Sequence, residues 1–134
     1  MKQANTFRET KQRNAIHTIL DEAKRPLSPQ EMLALADVHV PGIGIATIYR
    51  NIKIMVEQGV LSSVDIPGEP SRFILPQHRK THLFLDKESG VAMMFDLDLP
   101  GIKRRLPRGM KAQDVTLFCT GTLQAPPKKK KAKG

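Results

Sequence analysis

The sequence predicts an α+β protein, in which three helices and a strand hairpin precede a second, smaller domain of mixed structure. Two observations predict this class. Apolar residues recur at helical spacing in three segments of the first half, and short strand-like runs separated by turn residues follow them. The length of 134 residues suits one domain or two small ones.

Composition narrows the classes of function. No apolar run approaches the roughly 18 to 20 residues of a membrane helix, and the N-terminal MKQANTFRETKQR lacks the apolar core of a signal peptide. We therefore expect a cytoplasmic protein. The single cysteine, Cys119, allows no internal disulfide and no four-cysteine zinc site. Its setting in VTLFCTG is typical of a small buried strand residue, and a redox role is the alternative.

The net charge of +9 is concentrated at the C-terminus. Five of the 22 Lys and Arg residues lie in the last seven positions, at Lys128, Lys129, Lys130, Lys131 and Lys133. Residues 125–134, APPKKKKAKG, are predicted to be a disordered basic tail. We interpret the tail either as a non-specific anchor on nucleic-acid phosphates or as a solvated solubility tail.

The first two helices have clear boundaries. The first is predicted over about Thr10–Ala23 and is stopped by Pro26. The second begins at the N-cap Ser28, with a proline at its first position and Glu31 completing a capping box. It is predicted to end before Pro41–Gly42.

The third helix is amphipathic. It is predicted to start near Ile45 and to end at Gly59, the expected C-cap glycine. At about 100° per residue, its apolar side chains fall within one arc of about 100°. The members of this arc are Ile45, Ile48, Ile52, Met55 and Val56. The opposite face carries Arg50 and Lys53, with Tyr49 on the border.

Two short runs, LSSVD and SRFIL, flank a Pro–Gly turn and predict a hairpin. Three helices followed at once by a hairpin is the order of a winged helix-turn-helix. In that module the second helix of the motif enters the major groove of DNA. Arg50 could then form a bidentate contact with guanine O6 and N7, and the ring of Tyr49 could pack on a thymine methyl. Lys53 lies on the same face of the helix as Arg50. Thr47 and Asn51 are predicted to reach phosphates or bases from the flanks. The alternative is a solvated helix face with Tyr49 packed on its own domain.

The second half of the chain predicts a domain that needs a partner. Residues 77–80 are a predicted linker between a winged-helix domain, residues 1–76, and residues 81–124. THLFLD and VAMMFD flank KESG as a second hairpin, PGIKRRLPRGM holds at most a short helix, and DVTLFCTGTL is a third strand. These elements are too few to close a core alone, so we predict a small α/β dimerisation domain that pairs with a second copy.

The chain resembles the ferric uptake regulator (Fur) family. The resemblance lies in TKQRNAIHTIL, LSPQEMLALA, SRFILP, THLF and above all ATIYRN, which is close to the family's ATVYRNL signature. It implies a dimeric bacterial transcription factor that binds palindromic double-stranded DNA, with Tyr49 and Arg50 as the base-contacting pair. It also implies that Arg8 reaches a minor groove and that Arg13 contacts phosphate or anchors its helix.

Members of that family usually sense a metal, and this chain departs from them at the ligand positions. The positions that match the sensing site hold Pro26, Ile74, Lys80 and His82. Thr81 stands where a second site has an acidic ligand. Lysine opposes a bound cation, and transition-metal sites need three or four N, S or O donors.

The structural zinc of the family is also predicted to be lost. Leu85 and Glu88 or Ser89 stand where the resemblance would place cysteines of the CxxC motif. The second domain is then expected to be held by apolar packing alone, through Leu83, Leu85, Val91, Met93, Phe95, Leu117 and Cys119.

The resulting prediction is a Fur-like regulator that needs no metal or other cofactor. One alternative is a sensor with haem, a redox-active Cys119 or a weak metal site. Such a site would use His78, His82 and Asp86, which face one side if the chain between them is extended. Another alternative is a protein-interaction module that depends on a partner. An enzyme is not predicted, because the sequence has no nucleophile–base pair, phosphate loop or acidic metal cluster.

Overall fold

The computed structural model describes residues 2–98 and 100–124, and the chain divides into two compact units with a boundary between Lys80 and Thr81. The predicted basic tail, residues 125–134, lies outside the described residues. The helices are α1 (Lys2–Ala23), α2 (Pro29–Ala36) and α3 (Ile45–Glu57). The strands are β1 (Ser62–Ile66), β2 (Glu69–Ile74), β3 (His82–Asp86), β4 (Ala92–Phe95) and β5 (Phe118–Gly121), with 3-10 turns at Pro76–His78 and Ile102–Arg105.

These elements confirm the predicted α+β class, with a winged helix-turn-helix followed by a small mixed domain. In the first unit, the apolar faces of the three helices pack against one another and against the residues that flank the hairpin. The fully buried side chains of this core include Ile16, Leu20, Leu27, Met32, Ile48 and Leu75. None of the helices within residues 2–98 and 100–124 is both long enough and apolar enough to span a membrane.

Helix α1 is longer than predicted, since it begins at Lys2 rather than near Thr10. Residues 6–11 are exposed, and burial begins at Gln12. The predicted apolar positions Ala15, Ile16, Ile19 and Leu20 are buried. Apolar periodicity therefore identified the packed part of the helix, whereas the exposed residues 6–11 have no core to fill and leave no such pattern.

The caps of α2 and α3 are formed by the residues that the sequence indicates. Ser28 Oγ accepts a hydrogen bond from the Glu31 N–H at 3.1 Å, and Glu31 Oε1 accepts one from the Ser28 N–H at 2.9 Å, which confirms the capping box. Gly59 has φ 76°, and the N–H of Val60 donates to the Met55 carbonyl at 2.8 Å. Helix α3 thus ends in a glycine of left-handed conformation, as predicted.

Strands β1 and β2 form the predicted hairpin, with Gly68 at φ 80° in its turn. This hairpin, residues 62–74, is called the wing below. The structure also shows a backbone pairing to this hairpin that the sequence did not predict. Leu27 pairs with Phe73 through two backbone hydrogen bonds of 2.8 and 2.9 Å. This single bridge ties the α1–α2 connection to the wing, and one residue is too short to leave a strand pattern.

The second unit contains a three-stranded sheet of order β4-β3-β5, antiparallel on one side of β3 and parallel on the other. Leu83 pairs with Met94, and Phe84 pairs with Met93 and Cys119. Because side chains alternate along a strand, Leu83 lies on the opposite face from Met93 and Cys119. The apolar residues that were predicted to hold this domain are therefore divided between the two faces of the sheet.

The two faces differ in burial. Leu83 and Leu85 are 4% and 3% exposed, and Ala92, on the same face, is fully buried. On the other face Met93 is 39% exposed and Cys119 is half-buried, not fully buried as its sequence setting predicted. The second face thus leaves apolar side chains in partial contact with water.

Candidate nucleic-acid interface

The outer face of α3 carries the residues that the sequence singles out. Tyr49 is 50% exposed, and Arg50 and Lys53 are exposed. The apolar stripe of the helix points the other way, since Ile48, Ile52 and Met55 are buried. Ile45, which the periodicity assigns to that stripe, is 37% exposed at the start of the helix. Packing of the opposite face therefore holds a tyrosine and two cations outward on one rigid element.

Thr47 connects this face to α1. It is half-buried and lines a groove of about 440 Å³ between the start of α3 and the N-terminal turns of α1. Arg8 and Lys11 lie along the same groove, one helical turn apart. Lys11 is not among the residues that the sequence singles out, because Arg8 lies before the predicted start of α1 and the helical spacing of the two is not evident. Arg13, two residues further on, is half-buried.

Asn51 does not lie on the surface that the prediction requires. It is 2% exposed, and its amide nitrogen donates to the Thr47 carbonyl at 2.9 Å and to Gln12 Oε1 at 3.4 Å. A side chain that is so buried, with its amide nitrogen bonded twice, is not free to contact a phosphate or a base. We therefore remove Asn51 from the candidate contacts.

The wing carries negative charge close to the same surface. Asp65 is exposed and accepts a hydrogen bond from Ser71 Oγ at 3.0 Å. Arg72 is 8% exposed and paired with Glu69 at 2.9 Å. Glu69, Ser71 and Tyr49 line one groove of about 480 Å³, so the wing borders the exposed face of α3. The positive surface thus lies on α1 and α3 and not on the wing.

The weak metal candidates have other partners. His78 lies in the 3-10 turn Pro76–His78, so the extended chain that would align it with His82 is not formed. Its Nε2 is 2.8 Å from Asp21 Oδ1, and this hydrogen bond lowers the pKa of Asp21. Asp86 accepts hydrogen bonds from the Ser89 hydroxyl at 2.7 Å and the Glu88 N–H at 3.0 Å, which lower its pKa.

Among the four residues that the resemblance places at sensing positions, His82 alone has a metal-binding side chain. Both of its ring nitrogens face backbone groups. Nδ1 accepts a hydrogen bond from the Leu117 N–H at 3.0 Å, and Nε2 lies 3.4 Å from the Leu97 carbonyl oxygen. The ring is 2% exposed and lies 5.4 Å from the ring of Phe95. The donor electron pair that a metal would need is therefore used by the protein.

These residues do not fit a transition-metal ion. Ile74, which the resemblance places at a ligand position, is fully buried, and Lys80 is exposed. Within residues 2–98 and 100–124, no group of three or more His, Cys, Asp or Glu side chains is placed to hold a metal. The remaining donors are too few and too dispersed for the three or four ligands such an ion requires.

Comparison with known proteins identifies a family, two related sequences and a similar solved structure. The chain matches the family model described as the ferric uptake regulator family over residues 4–120. It is 30% identical over 91 residues to the ferric uptake regulation protein of Brucella suis biovar 1 (strain 1330), covering 68% of this chain and 64% of that protein. It is 26% identical over 80 residues to the ferric uptake regulation protein of Bacillus subtilis (strain 168), covering 59% and 54%.

The matched region thus spans less than two thirds of the length of either relative. Among solved structures, a zinc-bound manganese uptake regulator superimposes with a TM-score of 0.70 at 22% identity. That match covers 84% of this chain and 88% of the other. At this level of identity the likeness shows the fold, an N-terminal winged helix with a small C-terminal domain.

Proposed function

This chain belongs to the ferric uptake regulator family, and from that premise we propose that it is a dimeric transcriptional regulator that binds palindromic DNA without a bound metal. Members of this family are DNA-binding transcription regulators and not enzymes. The observation that carries the proposal is the exposed face of α3, where Tyr49 and Arg50 stand opposite a buried apolar stripe.

Base recognition is assigned to the first half of α3. The guanidinium of Arg50 is suited to a bidentate contact with O6 and N7 of guanine in the major groove. The half-exposed ring of Tyr49 offers an apolar surface to a thymine methyl. Both side chains project from a helix whose other side packs in the core, so they are directed away from it.

Phosphate contacts are assigned to the residues that flank these two. Arg8 and Lys11 line the groove beside Thr47, so they lie next to the first turn of α3. Lys53 lies on the outer face one turn after Arg50. Contacts of this kind set affinity and its dependence on salt, but they read no sequence. Arg13, which is half-buried, serves either as a phosphate contact or as an anchor of α1.

Dimerisation is assigned to the second unit. Its sheet has three strands, and one face leaves Met93 39% exposed beside the half-buried Phe95 and Cys119. Covering these side chains with a second copy would remove apolar surface from water. A two-fold dimer that presents one recognition helix, α3, from each copy then requires a palindromic operator.

Independence from metal is supported by the bonding of His82. Its two ring nitrogens already face the Leu117 N–H and the Leu97 carbonyl, and it stands alone among the sensing positions as a residue with a metal-binding side chain. We therefore assign no step in DNA binding to an ion.

Selection of bound sequences from a random duplex pool tests the proposal. The selection is run in EDTA and again with manganese, iron(II) or zinc, using the full-length protein. We expect the same palindrome in every arm, with half-sites about 10–10.5 base pairs apart or at a multiple of that spacing. Enrichment in the metal arms alone would contradict the metal-free part of the proposal, and no enrichment in any arm would contradict DNA recognition.

A further inference from the structure

A pair of buried amide side chains connects the first helix to the third. Nδ2 of Asn51 donates a hydrogen bond to Oε1 of Gln12 at 3.4 Å and another to the Thr47 carbonyl at 2.9 Å. Asn51 is 2% exposed and Gln12 is 7% exposed. In the part of the chain that the structure describes, no buried polar side-chain atom lacks a partner. The hydrogen bond between the two amides is therefore buried, and it joins residues 39 positions apart in the sequence.

Such a pair is a poor choice if stability is the only requirement. Asn has a lower helix propensity than the aliphatic residues around it, and a buried amide gains little over an apolar side chain of the same shape. The other buried positions of α3, Ile48, Ile52 and Met55, are apolar. Hydrogen bonds are directional, whereas apolar contacts are not. A polar pair at this point therefore fixes an orientation that apolar packing alone leaves free.

The orientation of α3 matters most at this level of the helix. Asn51 directly follows Tyr49 and Arg50, and Gln12 is the residue at which α1 becomes buried. A helix with its side chains has a radius of about 5–6 Å, so a rotation of about 20° moves a side-chain tip by about 2 Å. Hydrogen bonds to base edges tolerate displacements of only about 0.5 Å. A small rotation of α3 would thus break base contacts.

We propose that the Gln12–Asn51 hydrogen bond sets the rotation of α3 on α1, and that these two are positioning residues for base recognition by Tyr49 and Arg50. The inference rests on the proposed DNA-binding function. Phosphate contacts come from long, flexible cationic side chains, which follow a small rotation of the helix. Loss of the pair therefore lowers the preference for the operator over unrelated DNA and leaves non-specific affinity in place.

Three variants of the full chain separate positioning from core stability. Gln12→Met keeps the length of the side chain and removes the acceptor, and Asn51→Leu removes the donor. Gln12→Met leaves Asn51 Nδ2 with only the Thr47 carbonyl as acceptor, and Asn51→Leu leaves Gln12 Oε1 without its donor. The double variant replaces both amides with apolar groups and is expected to be close to neutral. The double variant should therefore recover the melting temperature that the single variants lose.

The measurement is the ratio of affinities for the selected palindrome and for a scrambled duplex of equal length. We expect this ratio to fall about tenfold or more in both single variants and in the double variant, with affinity for scrambled DNA within about twofold of the parent. Gln12→Glu, which keeps an acceptor oxygen in place, should retain most of the ratio. Asn14→Met, which removes an exposed amide from the same helix, should leave it unchanged.

The outcomes separate this inference from the function on which it rests. A double variant that regains both the melting temperature and the ratio of the parent overturns the inference, since the pair would then only fill the core. If the parent prefers the palindrome and the single variants keep the same ratio of affinities, the inference is also overturned, but the proposed function remains intact. A parent with no preference for any sequence overturns both.

Discussion

The backbone N–H of Leu117 donates a hydrogen bond to Nδ1 of His82 at 3.0 Å, so a side chain at the start of β3 holds the chain just before β5. Nδ1 accepts this bond and is therefore unprotonated, which leaves the ring proton on Nε2, 3.4 Å from the Leu97 carbonyl. The side chain of His82 thus connects the backbone at Leu117 and the backbone at Leu97 within the second unit. A chelated ion in other proteins often makes links of this kind.

Replacing His82 with Phe should destabilise the second unit. The variant keeps a ring against Phe95 but leaves the Leu117 N–H without its acceptor. The expected loss in the free energy of unfolding is about 1 kcal/mol, the typical net contribution of one hydrogen bond, because the bond to the Leu117 N–H is only part-buried. Urea unfolding measures the loss, and faster hydrogen exchange at the Leu117 amide would locate it.

His17→Phe, at an exposed position, is the matched control and should leave the unfolding midpoint in place. Added zinc or manganese should not raise the midpoint of the parent, because the acceptor nitrogen is already engaged. A clear rise that disappears in His82→Phe would contradict this account and would make His82 a ligand.

Arg50 and Lys53 should respond differently to truncation. Arg50→Ala is expected to weaken binding to the selected palindrome by about 1–3 kcal/mol and to relax the base preference at one position of each half-site. Lys53→Ala is expected to weaken binding to all sequences alike and to lower the slope of log affinity against log salt by about 1 per protomer. Titration of labelled duplexes at several salt concentrations distinguishes the two effects. Equal loss on all sequences in both variants would contradict the assignment of Arg50 to bases.

Structural features that depend on neighbouring residues could be predicted from the sequence. The capping box of Ser28 and Glu31 lies within one turn, and the φ of Gly59 follows from the end of an apolar stripe. Both were therefore predicted from adjacent residues alone. The full length of α1 was not, because residues 6–11 are exposed and have no buried side to create a pattern.

Asn51 shows where periodicity fails. Asn51 and Tyr49 lie on opposite flanks of the apolar arc of α3, each about 70–90° from its centre at 100° per residue. In the structure Gln12 of α1 lies against the flank of Asn51, while Tyr49 remains 50% exposed. No local pattern states which flank a distant helix will cover. The same limit applies to the second unit, where the pairing of Leu83 with Met94 decides which side chains share a face.

The wing should oppose DNA binding through its charge. Asp65 bonds to Ser71, which borders the groove that also contains Tyr49, so its carboxylate lies near the face that is proposed to meet phosphates. Asp65→Asn is expected to raise affinity about two- to fivefold at low salt, as a surface charge effect of about 0.5–1 kcal/mol predicts. The gain should fade as salt is added.

Ser71→Ala is the control for this change, since it removes the hydrogen bond to Asp65 and keeps the charge. Its affinity should match that of the parent at every salt concentration. If Asp65→Asn binds no better than the parent at low salt, the wing lies too far from the DNA for its charge to matter.

The turn between β3 and β4 should respond to acid through Asp86. The hydroxyl of Ser89 and the N–H of Glu88 donate to its carboxylate and hold its pKa below the ordinary value of 3.8. The unfolded chain, with the ordinary pKa, therefore takes up a proton first as the pH falls. The stabilisation is complete above pH 3.8 and is lost as the pH falls below 3.8 through the lowered pKa of the folded state.

Asp86→Asn removes the titrating group, so the difference in urea midpoint between parent and variant should be constant at neutral pH and should shrink below pH 3.8. Ser89→Ala removes the main cause of the lowered pKa, so its acid limb should still begin near pH 3.8 but should be smaller and should end at a higher pH than that of the parent. Asp114→Asn, at an exposed position, is the control and should follow the parent throughout. A difference between parent and Asp86→Asn that widens as the pH falls would show that the carboxylate is better bonded when protonated, contrary to the hydrogen bonds described.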